Sequence, residues 1–217
     1  MTSPGRLDLR TGVSQVSAMS SSDLPPPLSP LARLVKWLIL KCYDWSGWDA
    51  EGQLPPDRKM VLVGASHTSN WDFLVFLGTI EALGRNVGFI GKDSLFKWPL
   101  GNFMRSLGGI PVDRSRRQDL TAQVVEQFRE RDELLLVIAA EGTRSYTEKW
   151  RTGFYQIALQ AQVPIVCVGP DYPTRRGIIG PVIHPTGDYD RDMKPAFAFF
   201  RSLRPKHPAR AGFPLHS

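Results

Sequence analysis

Two hydrophobic patterns alternate along this chain. Short, nearly continuous apolar runs occur at 61–63, 87–90, 110–112, 134–140, 164–168 and 178–183, and each reads as a strand. Between them, apolar residues recur every three or four positions. Phe73, Leu74, Phe76, Leu77 and Ile80 follow Ser69 and stop before Gly84, which predicts a helix capped by Ser69 and ended by that glycine. Leu120, Val124, Val125 and Phe128 give the segment 118–130 one buried helical face, and a further helix is expected over 152–162. The uninterrupted run 134–140 is what a central strand covered on both faces requires. This alternation predicts an α/β fold: one domain with a mixed, mostly parallel sheet flanked by helices.

The ends read differently. Residues 1–30 are rich in Ser and Pro, carry no sustained period and contain no long apolar core with a cleavage site, so a disordered tail is expected there. Residues 31–50 mix Leu, Val, Ile and Trp with Arg33, Lys36 and Lys41. The apolar part is far short of the ~20 residues that span a bilayer. An interfacial amphipathic helix fits, with Trp37, Trp45 and Trp48 at headgroup level; a helix packed on the domain's own core is the alternative. Residues 51–217 form the remaining domain. Near its end Pro195 can open a helix bearing Phe197, Phe199 and Phe200, which serve either as a second membrane contact or as core.

Charge narrows the class of partner. With 27 Lys and Arg against 21 Asp and Glu the chain carries +6, while 42% hydrophobic and 22% charged residues are ordinary for a globular protein. Such a surface seeks anions. No nucleic-acid reader motif accompanies it, so an anionic membrane surface is the expected partner and nucleic acid is not. Arg85, Lys92, Lys97, Arg105, Arg114, Arg116 and Arg117, interleaved with Phe89, Leu95, Phe96, Trp98 and Phe103, suit a phosphorylated, lipid-like ligand. Cys42 and Cys167 lie far apart and lack nearby Cys or His, which argues for reduced thiols in a cytoplasmic setting and no metal site; no bound cofactor is expected either.

The chemistry gathers around strand ends. In VLVGASHTSNWD (61–72), His67 falls just outside the predicted helix and Asp72 inside its first turn. A carboxylate there can hold one imidazole nitrogen so that the other acts as a base, although a capping Asp after a loop His is also a common accident. GGIPVDR (108–114) carries Arg114 out of a strand, its glycines letting backbone pass closely. Glu141, Gly142, Thr143 and Arg144 follow the central strand at the edge where open α/β sheets bind ligands; alone they would be a surface turn with an ion pair. No Gly-x-Ser-x-Gly elbow surrounds Ser66 or Ser69, so a covalent acyl-enzyme is not expected.

Taken together, His-x4-Asp, the Gly-rich block ending in Arg114, Glu-Gly-Thr-Arg and VPIVCVG (163–169) resemble the glycerolipid acyltransferase family, which includes the lysophosphatidic acid acyltransferases. Two positions depart from that pattern: Ser66 stands where many members carry Asn, and Cys167 where they carry Pro. The resemblance implies acyl transfer from acyl-CoA or acyl carrier protein to a lysophospholipid or glycerol-phosphate acceptor at the cytoplasmic face of a membrane. It implies His67 and Asp72 as the catalytic pair, with Arg114, Glu141, Gly142, Thr143 and Arg144 binding substrate. The departures keep two other readings open, a non-glycerol lipid acceptor and a non-catalytic lipid-binding module.

Overall fold

A computed structural model describes residues 30–65, 69–98, 101–113, 120–141 and 150–210. Its centre is a seven-stranded sheet: β1 (Asp49–Glu51), β2 (Lys59–Gly64), β3 (Gly88–Lys92), β4 (Gly109–Val112), β5 (Leu134–Ala139), β6 (Ile165–Asp171) and β7 (Arg176–Ile183), in the order β1-β7-β6-β2-β5-β3-β4. The five strands from β6 to β4 are mutually parallel, β7 runs antiparallel to β6, and β1 runs with β7. The predicted mixed, mostly parallel sheet is therefore what the chain forms.

β2 lies in the middle because it is apolar in both directions. Met60 and Leu62 point into one core with Phe76, Ile80, Leu135 and Val166; Val61 and Val63 point into the other with Phe128, Leu136, Tyr155 and Phe197. The first core is covered by α2 (Asn70–Ala82), on which α1 (Pro30–Trp45) packs. The second is covered by α4 (Leu120–Glu130), α5 (Gly153–Ala161) and α7 (Lys194–Ser202). Phe197 and Phe200 lie in that second core, stacked edge-on against Trp150, so the membrane alternative for this aromatic group is replaced by packing.

Two stretches were not legible as elements. β1 is three residues long, Asp-Ala-Glu, with no apolar pattern, and exists because β7 offers it an edge. A short helical turn (Asp93–Phe96) and α3 (Gly101–Ser106) fold the basic and aromatic stretch back on the sheet. That return requires Gly108: its φ is +91°, and a Cβ there would stand 2.1 Å from the Val87 carbonyl oxygen. A small α6 (Tyr189–Asp192) precedes α7, whose proline sits in the first turn as expected. No helix of the described residues is long and apolar enough to cross a membrane. The tail expected over residues 1–30 lies outside the described residues except for Pro30, which opens α1.

Candidate active site

The carboxyl ends of the parallel strands form one edge, and the predicted site residues belong to segments that leave it. β2 stops at Gly64, and α2 begins after Ser69, whose backbone is extended (φ −147°, ψ 156°). The Ser69 hydroxyl accepts from the Trp71 N–H at 3.2 Å, and Oδ2 of Asp72 accepts from the Ser69 N–H at 2.6 Å. This reciprocal capping box satisfies amides of the first turn and turns the Asp72 carboxylate back toward the β2 exit. Asp72 is 3% exposed.

A second group reaches the same carboxylate from the other side of the chain. Gly64, the last residue of β2, pairs with Val168, yet β6 continues to Asp171. This overrun carries Tyr172 above the β2–α2 junction, where its hydroxyl donates to Asp72 Oδ1 at 2.5 Å. Burial, and then the adjacent carboxylate, push the phenol far above its usual range, so it stays protonated and remains a donor. Trp48 stands edge-on to the Tyr172 ring at 5.1 Å, and Lys206 Nζ lies 5.5 Å from the Trp71 ring centre and 6.0 Å from that of Tyr172.

The turn carrying Tyr172 is anchored through its neighbour. Asp171, buried at the end of β6, accepts from Arg204 through Nε (2.9 Å), Nη2 (2.7 Å) and the backbone N–H (3.0 Å), and from the Thr174 hydroxyl. The Arg204 guanidinium holds the Asp171 carboxyl down at about 2 despite burial. The Tyr172 N–H in turn donates to the Arg204 carbonyl at 3.0 Å. Sequence reasoning missed Tyr172, Asp171 and Arg204 because their meeting is set by sheet register.

Glu141 is buried two residues beyond β5. The preceding Ala140 donates its N–H to the Gly64 carbonyl at 3.0 Å, so Glu141 leaves the sheet beside the β2 exit. Arg151 donates to the Ala140 carbonyl at 3.0 Å and closes the base of the segment that contains Gly142, Thr143 and Arg144. At the end of β4, the Gln123 side chain accepts from the Asp113 N–H (3.0 Å) and donates to its carbonyl (3.3 Å). His67, Arg114, Gly142, Thr143 and Arg144 themselves lie outside the described residues, as do Arg116 and Arg117.

Cys167 is fully buried in mid-β6, opposite Val63, and burial pushes its thiol up to about 12, so it supplies no thiolate at neutral pH. Two of the basic residues of the 85–117 stretch also make contacts within the fold. Arg85 bonds Glu133 and the Asp57 carbonyl, and Arg105 bonds the Phe96 carbonyl and lies over its ring.

Comparison with known proteins agrees with this architecture. The 1-acyl-sn-glycerophosphate (LPA) acyltransferase PlsC from Thermotoga maritima has a similar fold: TM-score 0.53 and 22% identity, covering 75% of this chain and 73% of that one. No curated protein sequence matches the chain significantly. The sequence model of the acyltransferase family matches residues 49–170, more than half of the chain and the segment that holds all four blocks, and the protein belongs to that family.

Proposed function

We propose that this protein transfers a fatty acyl group from acyl-CoA or acyl carrier protein to a hydroxyl of a lysophospholipid or glycerol-phosphate acceptor. The observation that carries the reading is Asp72: a buried carboxylate, fixed through both oxygens at the mouth of the central strand and five residues beyond His67. A carboxylate held in this way can orient an imidazole and stabilise the imidazolium it becomes.

In this scheme His67 takes the proton of the acceptor hydroxyl as that oxygen attacks the thioester carbonyl. The C–O ester bond forms, the C–S bond breaks, and the proton passes from His67 to the departing thiolate. Arg114 and Arg144 bind the acceptor phosphate, for which the planar guanidinium fork is suited, while Glu141 orients Arg144 and Gly142 and Thr143 complete the loop. The nucleophile comes from the substrate, in keeping with the buried, protonated state of Cys167.

The acceptor is delivered at a membrane surface. Lys36 meets Glu81 near the end of α2, Tyr43 meets Thr79, and Trp48 meets Tyr172, so α1 rises beside α2 toward the carboxyl edge. Its outer face exposes Leu31, Leu34, Trp37, Leu38 and Trp45. A helix apolar on its solvent side, docked by its inner side to a basic domain, is suited to rest on an anionic bilayer at its cytoplasmic face.

The test is incubation of the purified protein with radiolabelled palmitoyl-CoA and a panel of acceptors: lysophosphatidic acid, glycerol 3-phosphate, a phosphate-free monoacylglycerol, and an amino-acid or glycolipid acceptor. Acylated lysophosphatidic acid or glycerol 3-phosphate is expected. General-base catalysis is worth about 10²- to 10⁴-fold, so His67→Ala should lose that much turnover with the fold intact. Product on the unphosphorylated lipids alone would transfer the function to a non-glycerol acceptor, and unchanged turnover in His67→Ala would remove the base.

A further inference from the structure

We propose that Tyr172 is a positioning residue for the catalytic pair: by donating to Asp72 Oδ1 it fixes the carboxylate and sets how strongly that carboxylate stabilises the His67 imidazolium. The inference rests on the general-base reading above and extends it to a residue beyond the family-matched segment.

The geometry is that of a built contact. Tyr172 and Asp72 are a hundred residues apart in sequence, yet the hydroxyl meets Oδ1 at 2.5 Å while Ser69 N–H occupies Oδ2 at 2.6 Å. One donor belongs to the helix cap and the other to the β6–β7 turn, so the carboxylate is held from two independent elements. Rotation about its last torsion would break both bonds. The tyrosine is held just as firmly, by the Trp48 ring beside it, the Arg204 carbonyl on its N–H and the Asp171–Arg204 pair one residue away.

A hydrogen bond donated to a carboxylate spreads its negative charge and weakens it as an acceptor. The phenol therefore lowers the pull of Asp72 on the imidazolium and keeps the base nearer neutrality, while preventing the carboxylate from turning away. Charged groups near this contact include Lys206, over the Trp71 and Tyr172 rings, the Asp171–Arg204 pair, and the buried Glu141, which leaves the sheet beside the β2 exit. None of them changes when the phenol oxygen is removed.

The experiment is an NMR titration of His67 in the full-length protein, assigned by its loss in His67→Ala, together with kcat and KM using palmitoyl-CoA and lysophosphatidic acid. Tyr172→Phe should raise the His67 pKa by about half to one unit. It should also lower kcat about ten- to a hundredfold with both KM values little changed. Replacing Tyr172 by 3-fluorotyrosine, whose phenol is the stronger donor, should move the His67 pKa the opposite way. Tyr155→Phe is the structural control: in the core on the opposite face of the sheet from α2, its hydroxyl donates to Asp192 at 2.8 Å, and its loss should lower the melting temperature without moving the His67 titration. A Tyr172→Phe protein that melts earlier but keeps the wild-type His67 pKa and kcat would overturn the inference. An unaltered turnover in His67→Ala would instead overturn the base reading, so the two failures are separable.

Discussion

Gly78 of α2 lies directly under the Tyr43 ring of α1: a Cβ on Gly78 would stand 2.3 Å from Tyr43 Cδ2 and 2.6 Å from its Cγ. The Tyr43 hydroxyl lies 3.2 Å from Thr79 Oγ1, which itself donates to the Val75 carbonyl at 2.8 Å, and Lys36 reaches Glu81 at 2.6 Å. α1 is therefore fitted to α2 by contact as well as charge.

Gly78→Ala tests that fit because two effects oppose one another. In an open helix interior the change would stabilise by up to about 1 kcal/mol. Here overpacking costs about 1–3 kcal/mol, so the net effect should be destabilising, with α1 the first part to loosen. A thermal melt and limited proteolysis measure both. A protein more stable than wild type, with α1 still protected, would show that the ring yields at no cost.

The Asp171–Arg204 pair gives a pH-dependent prediction. Asp171 ionises at about 2 in the folded chain, below the ordinary carboxylate value of about 3.9 in the unfolded one. A depressed folded value means that the stabilising contribution is fully present above about pH 4 and fades as pH falls toward 2. Asp171→Asn should therefore melt earlier than wild type at pH 7, and the gap should close through that acid window. Because Arg204 is exposed, raised salt should narrow the gap as well. A gap that stays constant from pH 7 to pH 2 would mean that the bonds matter but the charge does not.

How much of this was readable beforehand depended on whether a feature is local. The cap at Ser69, the acidic residue in the first turn of α2 and the proline in the first turn of α7 all follow from spacing within a few residues, and all are present, whereas β5 is buried on both faces only over Leu134–Leu136 and opens toward Ala139. β1 was invisible because Asp-Ala-Glu carries no pattern of its own. The aromatic residues of α7 gave no sign of which way they faced, since a core face and a membrane face have the same composition. Tyr172 was missed for a third reason. Its sequence, Asp-Tyr-Pro-Thr, announces only a turn, and that the turn overhangs Asp72 follows from β6 running three residues past its pairing with Gly64.

The exposed face of α1 predicts vesicle binding that point substitutions can remove. Deleting residues 1–49 would also take Tyr43, Trp48 and the start of β1, so it would disturb the domain along with the helix. Leu34→Glu, Leu38→Glu and Trp45→Ala act on outward positions alone. Burying one such side chain is worth about 1.5–3 kcal/mol, so each change should weaken partition to phosphatidylglycerol vesicles about tenfold or more. Flotation with the melting temperature as control decides it. Undiminished binding would place the membrane contact on another surface, which the buried Phe197 and Phe200 cannot supply.

Arg114→Ala and Arg144→Ala address the acceptor. Both positions follow strands that end on the carboxyl edge, β4 and β5, whose flanks are fixed by Gln123 on Asp113 and by Arg151 on Ala140. Losing one charged partner of a phosphate costs about 1.5–3 kcal/mol, which corresponds to roughly a ten- to hundredfold rise in KM. The rise should fall on lysophosphatidic acid or glycerol 3-phosphate and leave the KM for palmitoyl-CoA nearly unchanged. A phosphate-free monoacylglycerol, used as a poor acceptor, should be indifferent to either change, because nothing in it meets the guanidinium. The comparison separates the two anions present in the reaction, since the donor also carries phosphates. A rise confined to the donor KM would assign the arginine to the carrier, and the acceptor would then have to be sought nearer Glu141 and the β2 exit.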